Sequence, residues 1–363
     1  MQKHYLLTLL FGLSCLTIKA DIDPENWMAD LPDSMHVSMV SIPGAHDAAT
    51  GTGFLDAGNY FASYSSTLSS LFDLNSTFGE ACAQTQDLTI VEQLSAGVRA
   101  FDLRPYVNDD ELNINHGIVQ TKTDFNVAID TLISFLKNHS DEFIVIHMLE
   151  CDEDGTEEED YAKILFSILE DDSRKDYFTN FQRNLKVADV RGKILILSRD
   201  DYSDYHDILG GVMSGWVGYI SWSNQKGGTI TGEGTDDMAT SPLYMQDYSD
   251  THESGGTDTK VEAIETLLGY TTTKEINYDS NIVWAFNFAS AYSKMGSLSD
   301  IVGDAFGSFT STVIGWFTDA LDSDSSSLSD GYRDNATYTN AAIYNYLTAD
   351  DYVAGPTGIL MCD

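Results

Sequence analysis

The chain has 363 residues, 42% of them hydrophobic, enough to bury the core of one large domain or of two smaller ones. Lys and Arg number 19 against 57 Asp and Glu, a formal charge of −38, so the surface repels nucleic acid and anionic membranes alike. An anionic substrate would need a local basic group to receive it.

The first twenty residues carry Lys3 and His4, an apolar stretch over 6–13, and Ile18-Lys19-Ala20 ahead of Asp21. That is a secretory signal pattern, too short to span a bilayer. No later segment reaches the roughly 20 apolar residues a spanning helix needs. The expected organisation is a signal peptide over 1–20 and a single exported domain over 21–363. Gly12-Leu13-Ser14 before Cys15 is a poor lipobox, which makes lipid anchoring the lesser alternative. Beyond this segment stand Cys82, Cys151 and Cys362, which permit one disulfide at most and leave the fold to its hydrophobic core.

Eight short β-type runs follow, at 36–42, 98–103, 112–116, 143–149, 193–198, 243–247, 282–288 and 358–363. Helical patterns separate several of them: "LTIVEQLSAG" before the second, "FNVAIDTLISFLKNH" after the third, "EEDYAKILFSILEDD" after the fourth and "KVEAIETLLGY" before the seventh. Strands alternating with helices argue for parallel pairing, and eight such strands for an α/β fold closed as a (β/α)8 barrel with its chemistry at the carboxyl ends of the strands. Only "PYVNDDE" separates the second run from the third, too short for a helix, so the barrel is expected to be irregular. The run ends carry His46 and Asp47, Arg104, His116, Glu150, Arg199 with Asp200, Asp247, and Asp363. His147 lies mid-strand among apolar neighbours and reads as a packed core histidine.

The intervals 200–242 and 250–335 are rich in Gly, Ser, Thr and Asp and read as long polar loops. Within them, 299–324 places Val302, Phe306, Phe309, Val313, Phe317 and Ala320 at helical spacing. It reads first as a helix packed on the core, and secondly as a transient membrane contact. No H-E-x-x-H, paired cysteines or calcium loop gives positive support for a metal or another cofactor.

Three blocks taken in order, "SIPGAHDAATG", "EQLSAGVRAFDLRP" and "LNINHG", resemble the X domain of phosphatidylinositol-specific phospholipase C in its bacterial, metal-independent form. The resemblance implies His46 as general base, His116 as general acid, and Arg104 as the phosphate clamp standing where calcium-dependent relatives hold a metal. It implies that Asp47 pairs with that arginine and with the acid side of the site, and that Asp363 of "GILMCD" orients the base. Arg199 and Asp247 match positions that contact inositol hydroxyls. Glu150 stands where some bacterial relatives carry a head-group lysine.

The residue types suit phosphodiester chemistry on their own terms. Histidine titrates near neutrality, so one imidazole can accept a proton while another donates one. A guanidinium meets phosphate with two parallel donors and keeps its charge. The expectation is a secreted lyase, acting without metal on phosphatidylinositol or a glycosylinositol lipid. The alternatives are a glycerophosphodiesterase-like hydrolase, which would want a metal, and a non-catalytic module that binds inositol lipid.

Overall fold

A computed structural model describes residues 23–55, 83–108, 110–117, 119–151, 158–205, 217–222, 227–232, 237–249, 256–273, 282–291, 326–352 and 354–363. The leading segment read as a signal peptide, Cys82 and the amphipathic stretch 299–324 lie outside these residues.

The main elements in chain order are β1 (Ile42–Ala45), α1 (Ile90–Ser95), β2 (Ala100–Leu103), β3 (Pro105–Asn108), β4 (Glu111–His116), β5 (Val119–Asp124), α2 (Phe125–Asn138), β6 (Ile144–Met148), α3 (Glu158–Leu169), β7 (Ile194–Ser198), β8 (Val217–Trp222), β9 (Gly228–Thr231), β10 (Thr240–Gln246), α4 (Thr257–Thr273), β11 (Trp284–Phe288), α5 (Ser326–Leu347) and β12 (Ile359–Cys362). Among the described residues nine strands close a barrel in the order β1-β12-β11-β10-β9-β8-β7-β6-β2. Eight of them run parallel, and β9 alone is antiparallel to both of its neighbours, β8 and β10.

The α/β barrel is the architecture the periodicity implies, but three assignments change. The run at 112–116 becomes β4, which leaves the barrel and pairs antiparallel with β3 and β5 in a separate sheet. The short connection before it is explained by this: an antiparallel hairpin needs no crossover helix. The place so freed is filled from the interval read as polar loop, where Gly-rich β8 and β9 form a hairpin across the barrel wall. At the first run, Val37–Met39 is a 3-10 turn and the strand begins only at Ile42, so His46 follows β1 directly.

Alternation along the strands sorts two cores. Ala100, Val145, Leu195, Leu197, Leu243, Met245, Phe286, Phe288, Ile359 and Met361 share one apolar cluster, to which the alternating interior positions contribute. Phe101, Leu103, Ile144, Ile146, Ile194 and Ile196 point the other way, into a cluster with Ile129, Leu132 and Leu136 of α2 and Leu165 and Leu169 of α3. These helical residues recur at three and four positions, the spacing that gives one buried stripe. Thr89 and Glu92 start α1 with a reciprocal capping box. Gly44 has no side-chain room: a Cβ there would meet Met361 Sδ at 2.4 Å and Ala100 Cβ at 3.1 Å, so glycine lets β1 seat between β12 and β2.

At the amino end of the barrel a fully buried Arg99 binds Glu142 Oε2 through Nε at 2.7 Å and donates to the carbonyls of Leu94, Val98, Pro24 and Glu25. Glu142 Oε1 accepts from the backbone N–H of Met28 at 2.8 Å, tying the chain start to the barrel. Burial pushes the Arg99 guanidinium down and the Glu142 carboxyl up although each faces the other, so desolvation outweighs pairing for both. Glu142→Gln, which strands the Arg99 charge, should therefore cost about 3 kcal/mol of stability, read from the urea midpoint at constant slope. A midpoint equal to that of the unmodified protein would contradict this account.

Candidate active site

The rim at the carboxyl ends of the strands gathers the polar residues. Asp47 follows His46 in the left-handed region at φ 43°, a conformation that costs a non-glycine residue about 1 kcal/mol and that Asp tolerates better than most. The turn is held from three sides. His46 N–H donates to the Cys362 carbonyl at 2.9 Å, and the His46 carbonyl accepts from Thr85 Oγ1 and Gln86 Nε2.

His46 Nδ1 lies 2.8 Å from Asp363 Oδ1, and its Nε2 lies 3.2 Å from Asp47 Oδ2 and 3.9 Å from Asp102 Oδ2. Burial alone would push this imidazole down, but Asp47, Asp363 and Asp102 outweigh it and raise it to about 10. In the resting site His46 is an imidazolium.

His116, at the end of β4, reaches the same carboxylate from outside the barrel: its Nε2 is 3.6 Å from Asp47 Oδ2. Its Nδ1 is 2.7 Å from the Ala83 carbonyl, which can only accept, so Nδ1 carries the hydrogen and Nε2 faces the cleft.

Arg104 forks onto Asp102, Nε to Oδ1 and Nη2 to Oδ2 at 2.8 Å each, and its Nε is 3.7 Å from Asp47 Oδ1. Asp102 also takes Nδ1–H of His147 at 2.8 Å, its register partner across β2 and β6. Burial would raise the Asp102 carboxyl, yet Arg104 and His147 hold it well below the usual carboxylate range. Burial lowers His147 despite Asp102, which leaves it neutral. The core histidine is thus fully buried as the sequence implies, but its ring also fixes the carboxylate that holds Arg104.

Exposure separates the two kinds of group. The side chains of His46, His116 and Arg104 are 17%, 22% and 22% exposed, while those of Asp47, Asp102 and Asp363 are 5%, 0% and 2%. The two imidazoles and the guanidinium are the more exposed groups, and the carboxylates beside them lie behind.

The remaining predicted residues lie on the same rim. Arg199 follows β7 and rests its guanidinium 4.4 Å from the centroid of the Trp222 ring at the end of β8. Burial and then repulsion from Arg104 push it down, against Asp247 and Asp102, so it shares the field of the cleft. Asp247 follows β10 directly and is half-buried. Glu150 follows β6; its backbone N–H donates to both carboxylate oxygens of Asp200, which also accepts from Ser198, Tyr161 and Tyr202.

Sequence reasoning treats Asp102 only as an acid with which Arg104 could pair, not as the hub of the site. Asp102 stands two residues before Arg104 on the same face of β2, a spacing that marks the pair. Trp222 lay in an interval read as loop, and its stacking on His147 at 5.5 Å becomes visible only once β8 enters the barrel.

Among the described residues one trio has metal-type donors within 4.8 Å of each other, His46, Asp47 and Asp102. Both Asp102 oxygens already accept from the Arg104 fork, so a cation there would share that carboxylate with the guanidinium. Cys151 and Cys362 are free thiols.

Fold and site together define an α/β barrel with a two-histidine, one-arginine cleft at the carboxyl rim. The family described as phosphatidylinositol-specific phospholipase C, X domain, matches residues 60–200 of the chain. The 1-phosphatidylinositol phosphodiesterase of Listeria monocytogenes is 30% identical over 190 residues, 50% of this chain and 51% of that protein. The chain thus spans about half the length of this curated relative. The enzyme of the same name from Staphylococcus aureus strain Newman is 26% identical over 279 residues, covering 76% of this chain and 78% of that one. Among solved structures, a variant of the Staphylococcus aureus phosphatidylinositol-specific phospholipase C superposes with a TM-score of 0.64 at 21% identity, over 94% of this chain and 90% of that chain. The Listeria monocytogenes phospholipase C superposes with a TM-score of 0.52 at 19% identity. At these identities the superpositions speak for the barrel.

Proposed function

We propose that the protein is a phosphatidylinositol-specific phospholipase C that acts without metal, cleaving phosphatidylinositol or glycosylinositol lipids to diacylglycerol and an inositol cyclic phosphate. The observation that carries the reading is one carboxylate oxygen, Asp47 Oδ2, approached by Nε2 of both solvent-facing imidazoles, with the Arg104 guanidinium alongside.

On this reading the phosphate enters over Asp47 and meets the guanidinium edge that Asp102 leaves open. The inositol 2-hydroxyl displaces Asp47 from Nε2 of His46, and the imidazole must shed its resting proton before it can act as base. The neutral ring then takes the hydroxyl proton, the oxygen bonds to phosphorus, and the bond from phosphorus to the glycerol oxygen breaks. His116 gives its Nε2 proton to that leaving oxygen. Asp363 holds the His46 tautomer and stabilises the imidazolium that forms. Arg104 carries the charge growing on the non-bridging oxygens. Arg199, Asp247 and Glu150 would meet the inositol hydroxyls, with Trp222 as a floor under Arg199.

Export through the leading segment fits the relatives' lipid substrate, and no described helix is long and apolar enough to cross a membrane. Membrane contact through 299–324 stays a proposal that rests on its amphipathic pattern alone.

The test is incubation with phosphatidylinositol in excess chelator, followed by phosphorus NMR. Inositol cyclic phosphate formed at an undiminished rate supports the lyase. Turnover that needs added metal points to the hydrolase, and binding without product points to a non-catalytic module; either result removes the proposal.

A further inference from the structure

Residues 84–86 belong to neither helix nor strand, yet Thr85 and Gln86 are buried. A buried loop must satisfy its polar groups somewhere, and this one directs them at the site. Gln86 Nε2 donates to the Cys362 carbonyl at 2.8 Å and to the His46 carbonyl at 2.9 Å. The ladder between β1 and β12 ends at Ala45 and Cys362, so His46 and Asp363 both lie one step past its last register pair. Strand ends fray where pairing stops. One amide nitrogen holds these two ends together where the His46 and Asp363 side chains meet at 2.8 Å.

The loop is itself anchored to the turn after His46. Thr50 Oγ1 accepts from the backbone N–H groups of Thr85 and Gln86 at 3.2 Å and 3.1 Å. The Thr85 hydroxyl donates to the His46 carbonyl at 3.1 Å, so in the 3.0 Å contact between the two hydroxyls Thr50 is the donor. Thr50, Thr85 and the His46 carbonyl therefore form one directed chain of hydrogen bonds, in which each link polarises the next. The same stretch reaches the second imidazole, since Ala83 supplies the carbonyl that accepts from His116 Nδ1. His46 follows a barrel strand and His116 ends a strand of the separate sheet, and the stretch from Ala83 to Gln86 touches both.

We infer that Gln86 is a positioning residue of the two-histidine site: its amide nitrogen locks the ends of β1 and β12 together, and so fixes the His46 and Asp363 pair relative to the loop that holds His116. The inference rests on the base and acid roles proposed for the two histidines. Neither carbonyl depends on Gln86 alone. Cys362 also accepts from the His46 N–H at 2.9 Å, and His46 also accepts from Thr85. Removing the amide thus strands no backbone acceptor and takes away the shared restraint.

The experiment compares Gln86→Met, Thr50→Val and Thr50→Ser with the unmodified protein. It reads kcat and KM on phosphatidylinositol and, without substrate, the proton and nitrogen-15 NMR signals of His46 Nδ1–H. Gln86→Met should lower kcat by about 10-fold to 100-fold, the cost of a small misplacement of reacting groups, with KM changed less than about 3-fold. The Nδ1–H proton signal should move upfield as the bond to Asp363 lengthens. Thr50→Val, which removes the anchor of the loop, should reproduce both changes, and Thr50→Ser, which keeps the hydroxyl, should return both to the unmodified values. A purely structural role would lower the melting temperature and leave kcat and the His46 signal in place, which would overturn the inference. A KM that rises as far as kcat falls would overturn it too, because the whole cleft would then have loosened. If Gln86→Met fails to fold, the Thr50 pair decides. If the unmodified protein cleaves no inositol lipid, the functional reading falls while the His46 signal still decides the role of Gln86.

Discussion

His46→Ala should lower turnover of phosphatidylinositol by about 1,000-fold or more, the range expected when a positioned general base is removed. The loss should fall on kcat, since Arg104, Arg199 and Asp247 remain to hold substrate. The same variant has a second readout in stability against pH. The folded state raises His46 from its ordinary 6.5 to about 10, because three buried carboxylates surround it. Sitting above its unfolded value, the imidazolium contributes stability that is full below about pH 6.5 and is lost as pH rises through about 10. The gap in urea midpoint between the protein and His46→Ala should therefore be widest near pH 6 and narrow toward pH 10. Undiminished turnover, or a gap independent of pH, would show that the ring does not sit as a charged hub among these acids.

Arg104→Lys keeps the charge and removes the fork. Nε and Nη2 are held by Asp102 at 2.8 Å each, which fixes the plane of the guanidinium and leaves the edge between the two terminal nitrogens as a second pair of parallel donors. A lysine ammonium is a point charge on a mobile stem and cannot satisfy Asp102 and a phosphate together in that geometry. The expected result is a loss of kcat on the order of 100-fold to 1,000-fold with KM changed only a few-fold, because the second charge on the non-bridging oxygens develops in the transition state. Equal loss in kcat and in substrate affinity would assign Arg104 to ground-state binding instead, and equal turnover would remove it from the site.

Both predictions depend on a convergence that the chain order does not display. His46 and Asp363 are separated by 317 positions and meet because β1 pairs with β12 when the barrel closes. Each partner was nonetheless legible, because each sits in a contiguous block with its own local pattern: a strand ending in Pro43-Gly44 before His46, and an apolar run ending at Asp363. The same holds for Arg104 in "FDLRP" and His116 in "NINHG".

The misses share a different cause. Sheet membership is a relation between segments, so an alternating run such as 112–116 looks the same whether it joins the barrel or a hairpin beside it. The β8 and β9 hairpin is short and Gly-rich, and Gly228 and Gly218 carry no side chain to announce a strand. Asp102 was visible as a residue; its role as the anchor of Arg104 and the partner of His147 follows from the alignment of β2 with β6.

What the amino-acid order determined by itself was therefore local: the α/β alternation, the two imidazoles and the guanidinium at strand ends, and the acidic surface. Hydrophobic period and turn chemistry act over a few residues and survive any tertiary arrangement. The tertiary structure decided which strands close the barrel, which carboxylate each cation meets, and that Lys260 is buried against Gln246. Those outcomes depend on distances between segments far apart in the chain, and on the low dielectric that burial creates once they are in place.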